Sequence, residues 1–172
     1  MVSYNNEFQK GFNICGQPSS ELVEFFKHHQ KKHASVLDLG CGQGRDALFI
    51  ARKGHKLLGV DSAQTSIKQM LKLAVRENLN VNGIVADIID FEADDVYDVV
   101  LIVRVLLILQ SNKIRKSVLE KYSSAVCNDG YYLIADTPKN QTLICNFFKS
   151  LKQDLEFIKN KKGFLFAHKI KR

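Results

Sequence analysis

The chain has 172 residues, a net charge of +7, 45% hydrophobic residues and 25% charged ones. That balance suits one soluble globular domain long enough to bury a core. No apolar run approaches the roughly 20 residues of a membrane span, and residues 1–11 are polar, without the apolar core of a signal peptide. A cytoplasmic protein is expected.

Cys15, Cys41, Cys127 and Cys145 lie far apart with no C-x-x-C pair. This excludes the usual zinc spacing and any disulfide framework, so reduced thiols that serve as small packing residues are expected. Basic residues gather at 27–33, 159–162 and 169–172. They favour anionic partners, but no aromatic residues interleave them as a stacking surface for nucleic acid requires. Solvated helix ends and a basic tail are therefore the favoured explanation.

Residues 1–18 scatter Tyr4, Phe8 and Phe12 among polar residues and read as an arm or lid, with Gly16-Gln17-Pro18 as a turn. Ser19 or Ser20 caps a helix showing Leu22, Val23, Phe25 and Phe26 on one face. A strand follows at 35–39. A helix over 44–53 buries Ala47, Leu48, Ile50 and Ala51, and Gly54 closes it. A second strand at 56–60 ends in Asp61. The next helix is marked by Ile67, Met70, Leu71, Ala74 and Val75. Strand three, at 82–86, closes on Asp87, and an acidic connection covers 90–95.

The apolar run at 97–103 reads as a strand buried on both faces. Ile114, Val118, Tyr122, Ala125 and Val126 mark a helix. Asn128-Asp129-Gly130 is a turn before a strand at 131–135. Leu143, Ile144, Phe147, Phe148 and Leu151 line a further helix. Residues 155–158 and 164–167 flank Asn160-Lys161-Lys162-Gly163 as a hairpin. Strands alternating with helices predict an α/β fold: a doubly wound, mostly parallel sheet of seven strands, helices on both faces, and a C-terminal antiparallel hairpin.

In such a sheet ligands collect outside the carboxyl ends of the strands. Gly40, Gly42 and Gly44 there make a tight turn with bared backbone, and the helix that follows offers free N–H donors to an anion. Asp61 ends strand two, where a carboxylate accepts both hydroxyls of a ribose. Asp87 ends strand three, where it can take the amino group of an adenine while Ile88 covers the ring. Asp38 sits at the foot of the turn. Arg104 is one charge in a long aliphatic run. Either the strand has ended and Arg104 reaches solvent, or its planar fork grips an anionic ligand. His55 and His168 read as surface or satisfied residues, and His28 and His29 as residues able to face a pocket.

The stretch Asp38-Leu39-Gly40-Cys41-Gly42-Gln43-Gly44 resembles motif I of the class I S-adenosylmethionine (SAM)-dependent methyltransferases. Gln17-Pro18-Ser19-Ser20-Glu21-Leu22-Val23-Glu24-Phe25, Gly44-Arg45-Asp46-Ala47-Leu48-Phe49 and Gly59-Val60-Asp61-Ser62 extend the likeness. The pattern is most similar to the tellurite-resistance and thiopurine methyltransferase-like small-molecule enzymes. The resemblance covers residues 16–135 and implies a Rossmann-like methyltransferase fold over one domain, 1–172. It implies that Asp38, Gly40, Gly42, Asp61 and Asp87 hold the cofactor and that backbone at Ile102 and Val103 borders its methionine part; Cys41, Gly44, Ser62 and Ile88, their neighbours, complete the expected set.

The implied reaction is in-line transfer of a methyl group from SAM to a small-molecule acceptor, leaving S-adenosylhomocysteine (SAH). Arg104 is the candidate for holding an anionic acceptor, and no metal is called for. A monomer or homodimer would serve. Two rival readings are methylation of RNA or a translation component, and a SAM-binding module without catalysis. The Asn-Pro-Pro-Tyr type of motif that marks amino methylation of bases is absent, with Ile102-Val103-Arg104-Val105 in its place.

Overall fold

The computed structural model describes residues 16–170. The expected lid aromatics Tyr4, Phe8 and Phe12, and Cys15, lie outside them. Contacts divide the chain into two units, Met1–Ile88 and Ile89–Arg172.

In the first unit, helix α1 (Ser20–His28) starts where the Ser19 hydroxyl accepts the Leu22 N–H at 3.3 Å. It buries Leu22 and Phe26, one turn apart, whereas Val23 is 38% exposed, so its apolar stripe is narrower than the sequence suggested. Strand β1 (Ser35–Leu39) leads through the glycine turn into α2 (Arg45–Arg52). Strand β2 (Lys56–Asp61) carries Asp61 as its last residue, and α3 (Gln64–Arg76) and β3 (Val81–Val85) follow. These strands pair in parallel in the order β3-β2-β1, with Asp38 opposite Gly59 and Gly59 opposite Gly83. Helix α2 buries Ala47, Leu48, Ile50 and Ala51 as expected. In α3 the expected face fails at Val75, which is 82% exposed; Ile67, Met70 and Ala74 are the buried apolar residues.

In the second unit, β4 (Tyr97–Val103) is fully buried from Val99 to Ile102. A single 3₁₀ turn, Leu106–Ile108, takes up the remaining aliphatic residues. Helix α4 (Asn112–Ser123) is capped by Ser111, whose hydroxyl accepts the Ile114 N–H at 3.3 Å. It stops before Ala125 and Val126, which the sequence placed on it. Val126 opens β5 (Val126–Ala135).

The expected Asn128-Asp129-Gly130 turn is a bulge inside β5: the register jumps from Tyr97–Val126 to Val99–Tyr131, with Asp129 at φ 66°. After a 3₁₀ turn at Pro138–Asn140 comes α5 (Gln141–Ser150), which buries Ile144 and Phe148. Then β6 (Leu155–Lys161) and β7 (Phe164–Lys169) form a hairpin. Its loop is two residues rather than four. Lys162 and Gly163 both take positive φ, 46° and 84°, which matches the strand twist and lets Asn160 and Lys161 pair with β7. The order is β4-β5-β7-β6, with β4 and β5 parallel and β7 antiparallel to both its neighbours. The seven strands make a mostly parallel sheet with antiparallel C-terminal strands and flanking helices.

Candidate functional site

The chain leaves β1 and turns through Gly40, Gly42 and Gly44, all in the left-handed region at φ 75°, 54° and 84°. Side chains with a Cβ resist that conformation, so these positions fix where the turn can form. The Gly40 and Cys41 N–H groups donate to the Val60 carbonyl at 2.7 and 3.1 Å, tying the turn to β2. The Gly44 N–H donates to the Cys41 carbonyl at 3.0 Å, and the Gly44 carbonyl accepts the Leu48 N–H at 2.8 Å, opening α2. Asp61 binds the same turn from the end of β2. Its Oδ2 accepts the Gly42 N–H at 2.9 Å and its Oδ1 accepts the Ala63 N–H at 2.8 Å.

Asp38 stands under this turn and is only 2% exposed. Its Oδ2 finds no hydrogen-bond partner among the described residues. Burial pushes its carboxyl well above the usual carboxylate range; Asp46 adds to the rise, Arg45 opposes it, and Asp61 adds again. Asp46, at the start of α2, is buried against Arg45, whose Nε and Nη2 reach its two oxygens at 3.0 and 2.5 Å. Asp61 is also raised by burial, against the two backbone bonds that favour its charged form. Three carboxylates and one guanidinium thus surround one glycine turn, an arrangement that attracts a cation. Burial likewise pushes the Cys41 thiol well up, with Asp38 and Asp61 adding, so Cys41 packs as a neutral thiol.

Ser62 follows Asp61 and is exposed. The Ala86 N–H donates to the Asp61 carbonyl at 3.1 Å, which brings the end of β3, and with it half-buried Asp87 and buried Ile88, beside the end of β2. The first unit therefore brings together Asp38, the three glycines, Cys41, Asp61, Ser62, Asp87 and Ile88. Val103 and Arg104 belong to the second unit. Val103 is the last residue of β4, and Arg104 follows it, exposed, at φ 57°, with its N–H donating to the Ala135 carbonyl at 2.7 Å.

Asp46, Arg45 and Gln43 were not singled out from the sequence. Gln43 is 4% exposed and its Nε2 donates to Gln69 Oε1 at 2.8 Å. The available signal was a polar triplet, Gln43 with Arg45 and Asp46, flanking the last glycine of an otherwise apolar strand-turn-helix.

The histidines are engaged elsewhere. His28 pairs with Glu24 at 2.7 Å, His29 stacks on Phe25, and His55 Nδ1 accepts the Ala34 N–H at 3.2 Å. His168 stacks on Tyr131 and bonds Asp129 at 2.7 Å. Among the described residues no group of three His, Cys, Asp or Glu side chains is placed to hold a metal ion.

A mostly parallel seven-stranded sheet with one reversed strand in its C-terminal part, fed by a strand–glycine turn–helix, is the architecture of the Rossmann-like methyltransferases. Within that class the chain belongs to the TehB family: the family profile, described as "Tellurite resistance protein TehB", matches residues 1–162.

A probable SAM-dependent methyltransferase TehB of Haemophilus influenzae is 26% identical over 144 residues, 78% of this chain and 50% of that protein. A 2-heptyl-1-hydroxyquinolin-4(1H)-one methyltransferase of Mycobacteroides abscessus is 40% identical over 81 residues, 46% of this chain and 35% of that one. The solved structure of a TehB-like SAM-dependent methyltransferase of Corynebacterium glutamicum shares the fold with a TM-score of 0.74 at 17% identity, covering 98% of this chain and 96% of that one. The chain thus spans between a third and a half of the length of these two curated relatives.

Proposed function

We propose that this chain, as a single domain spanning residues 1–172, is an enzyme that transfers a methyl group from SAM to a small-molecule acceptor. The observation that carries the reading is the buried carboxylate oxygen of Asp38, without a partner at the foot of a glycine turn. A buried acceptor left unpaired costs free energy, so it favours a ligand that brings a donor or a positive charge. The ammonium of a methionine moiety does both. The cradle is also of the right kind: a Cβ added at Gly44 would lie 2.5 Å from Met70 Cγ, so only glycine leaves the backbone where a ligand can approach it.

In this reading the backbone of Gly40, Cys41, Gly42 and Gly44 and the first turn of α2 hold the amino-acid tail. Asp61 spends one lone pair of each oxygen on Gly42 and Ala63 and keeps the others for the two ribose hydroxyls. Asp87 takes the adenine amino group, Ile88 covers the ring, and Ser62 and Val103 complete the set. Bound SAM supplies a methyl group already activated by its sulfonium, so the protein's part is alignment and exclusion of water, which can be worth about 7–11 kcal/mol. Arg104 is the proposed anchor for an anionic acceptor.

The substrates for which the relatives are named support small acceptors as a class, and a cytoplasmic location is part of the same proposal. Among the described residues no helix is long and apolar enough to cross a membrane.

The test is calorimetric titration of the full chain with SAH, followed by methyl transfer from SAM across a panel including tellurite, hydroxyquinolinones, catechols and amines. Binding with turnover of a panel member supports the proposal. Binding with no turnover, and no steeply salt-dependent RNA binding either, would favour a non-catalytic module.

A further inference from the structure

Two glycines lie inside strands of the first unit, where glycine weakens pairing unless something must come close. They are Gly59 in β2 and Gly83 in β3, and they sit opposite each other in register, in the row that also contains Asp38. What comes close to both is Met70 of α3, a fully buried side chain, joined by Cys41 Sγ at Gly59 and Ile67 Cγ2 at Gly83. A Cβ at Gly59 would lie 2.9 Å from Met70 Cε, and one at Gly83 would lie 3.1 Å from it. The same side chain also runs under the glycine turn, where a Cβ at Gly44 would meet Met70 Cγ at 2.5 Å and Sδ at 3.0 Å. An unbranched, flexible thioether suits a furrow of this shape, because it can pass three bare backbones that a β-branched or aromatic side chain would strike.

Helix α3 reaches the turn at two further points. Asp61 accepts from Gly42 in the turn and from Ala63 at the start of α3, and Gln43 donates to Gln69, next to Met70. We propose that Met70, seated in the furrow left by Gly59 and Gly83, is a positioning residue that props the glycine turn at Gly44 and so sets the affinity for the cofactor. The proposal rests on the SAM-binding reading above.

The rival explanation is that Met70 is core filling like any other buried side chain. The two separate by comparing SAH affinity at matched stability, each variant titrated well below its melting midpoint. Met70→Ala should lose about tenfold or more in SAH affinity, because the turn loses its support. Met70→Leu, which keeps a Cγ beside Gly44 at similar volume, should stay within about threefold. Leu119→Ala, on α4 in the second unit and equally buried, should lower the melting midpoint comparably yet leave SAH affinity within about twofold. Gly83→Ala keeps Met70 but crowds its Cε along with Ile67 Cγ2, and should also weaken SAH, which gives a reading if Met70→Ala does not fold.

Met70→Ala losing no more affinity than Leu119→Ala, or Gly83→Ala binding SAH as the parent does, would overturn the proposal while leaving the cofactor reading intact. Failure of the unmodified chain to bind SAH would take both down.

Discussion

Asp38→Asn removes the charge under the glycine turn and nearly preserves its shape, so it separates what Asp38 does for the fold from what it does for the ligand. The carboxyl is 2% exposed, one oxygen has no partner among the described residues, and burial with the nearby Asp46 pushes its pKa well up. The unfolded value is about 3.9. A folded pKa above it means the native state holds the proton more tightly than the unfolded chain. This group's contribution to stability is therefore complete below the unfolded value and is lost as pH rises through the folded one.

At neutral pH the protein without ligand carries the cost of that buried acceptor, about 1–3 kcal/mol. Relieving it should raise the melting midpoint by about 2–4 °C per kcal/mol for a chain of this size. Thermal unfolding of parent and variant from about pH 5 to about pH 8 should show a gap that opens with pH in favour of Asp38→Asn. The same variant should bind SAH more weakly. A variant less stable than the parent at the upper end, or a gap that does not change with pH, would refute the reasoning, since either would mean Asp38 is already satisfied within the fold.

The other predictions concern the strand ends. Asp61→Ala strips the acceptor from the Gly42 and Ala63 N–H groups, at about 1.5–3 kcal/mol for each bond to a charged group; calorimetry should show SAH affinity falling steeply, and unchanged affinity would remove Asp61 from the site. Asp136 joins two connections: its Oδ2 accepts the Leu107 N–H at 3.1 Å, and its Oδ1 accepts the Thr137 N–H and the Asn140 amide, both at 2.7 Å. Asp136→Ala should speed hydrogen exchange at Leu107 and Thr137 and cost about 1–3 kcal/mol in denaturant unfolding. Arg104→Gly should relieve a left-handed backbone worth about 1–2 kcal/mol and raise the unfolding midpoint, while slowing methylation of anionic acceptors relative to neutral ones; equal rates would leave Arg104 a solvent-facing residue.

What the residues disclosed and what they hid divides along a physical line. Strands β1 and β4 are apolar runs buried almost throughout, and the glycine turn needs left-handed backbone that few other residues accept, so local chemistry alone marked them. Asn128-Asp129-Gly130 was read as a turn because turns and bulges ask for the same positive φ; only the partner strand, pairing Tyr97 with Val126 and Val99 with Tyr131, decides between them. Val75 continues an apolar period that burial does not honour, since α3 packs on β2 and β3 along a narrower stripe.

The site shows the same division. That Asp38 lies at the foot of the turn and that Asp61 ends its strand was legible, but that Asp61 is half spent on Gly42 and Ala63, or that Arg45 closes on Asp46, depends on how the turn is folded. Register matters most. Asp38, Gly59 and Gly83 form one row only because β1, β2 and β3 pair as they do. A slip of one residue in β2 would set Leu58 or Val60 beside Asp38, flip the side chains to the opposite face and close the furrow that holds Met70. The cofactor turn is therefore a property of strand pairing as much as of its own glycines, and substitutions in β3, a strand with no residue in motif I, should be felt in ligand affinity.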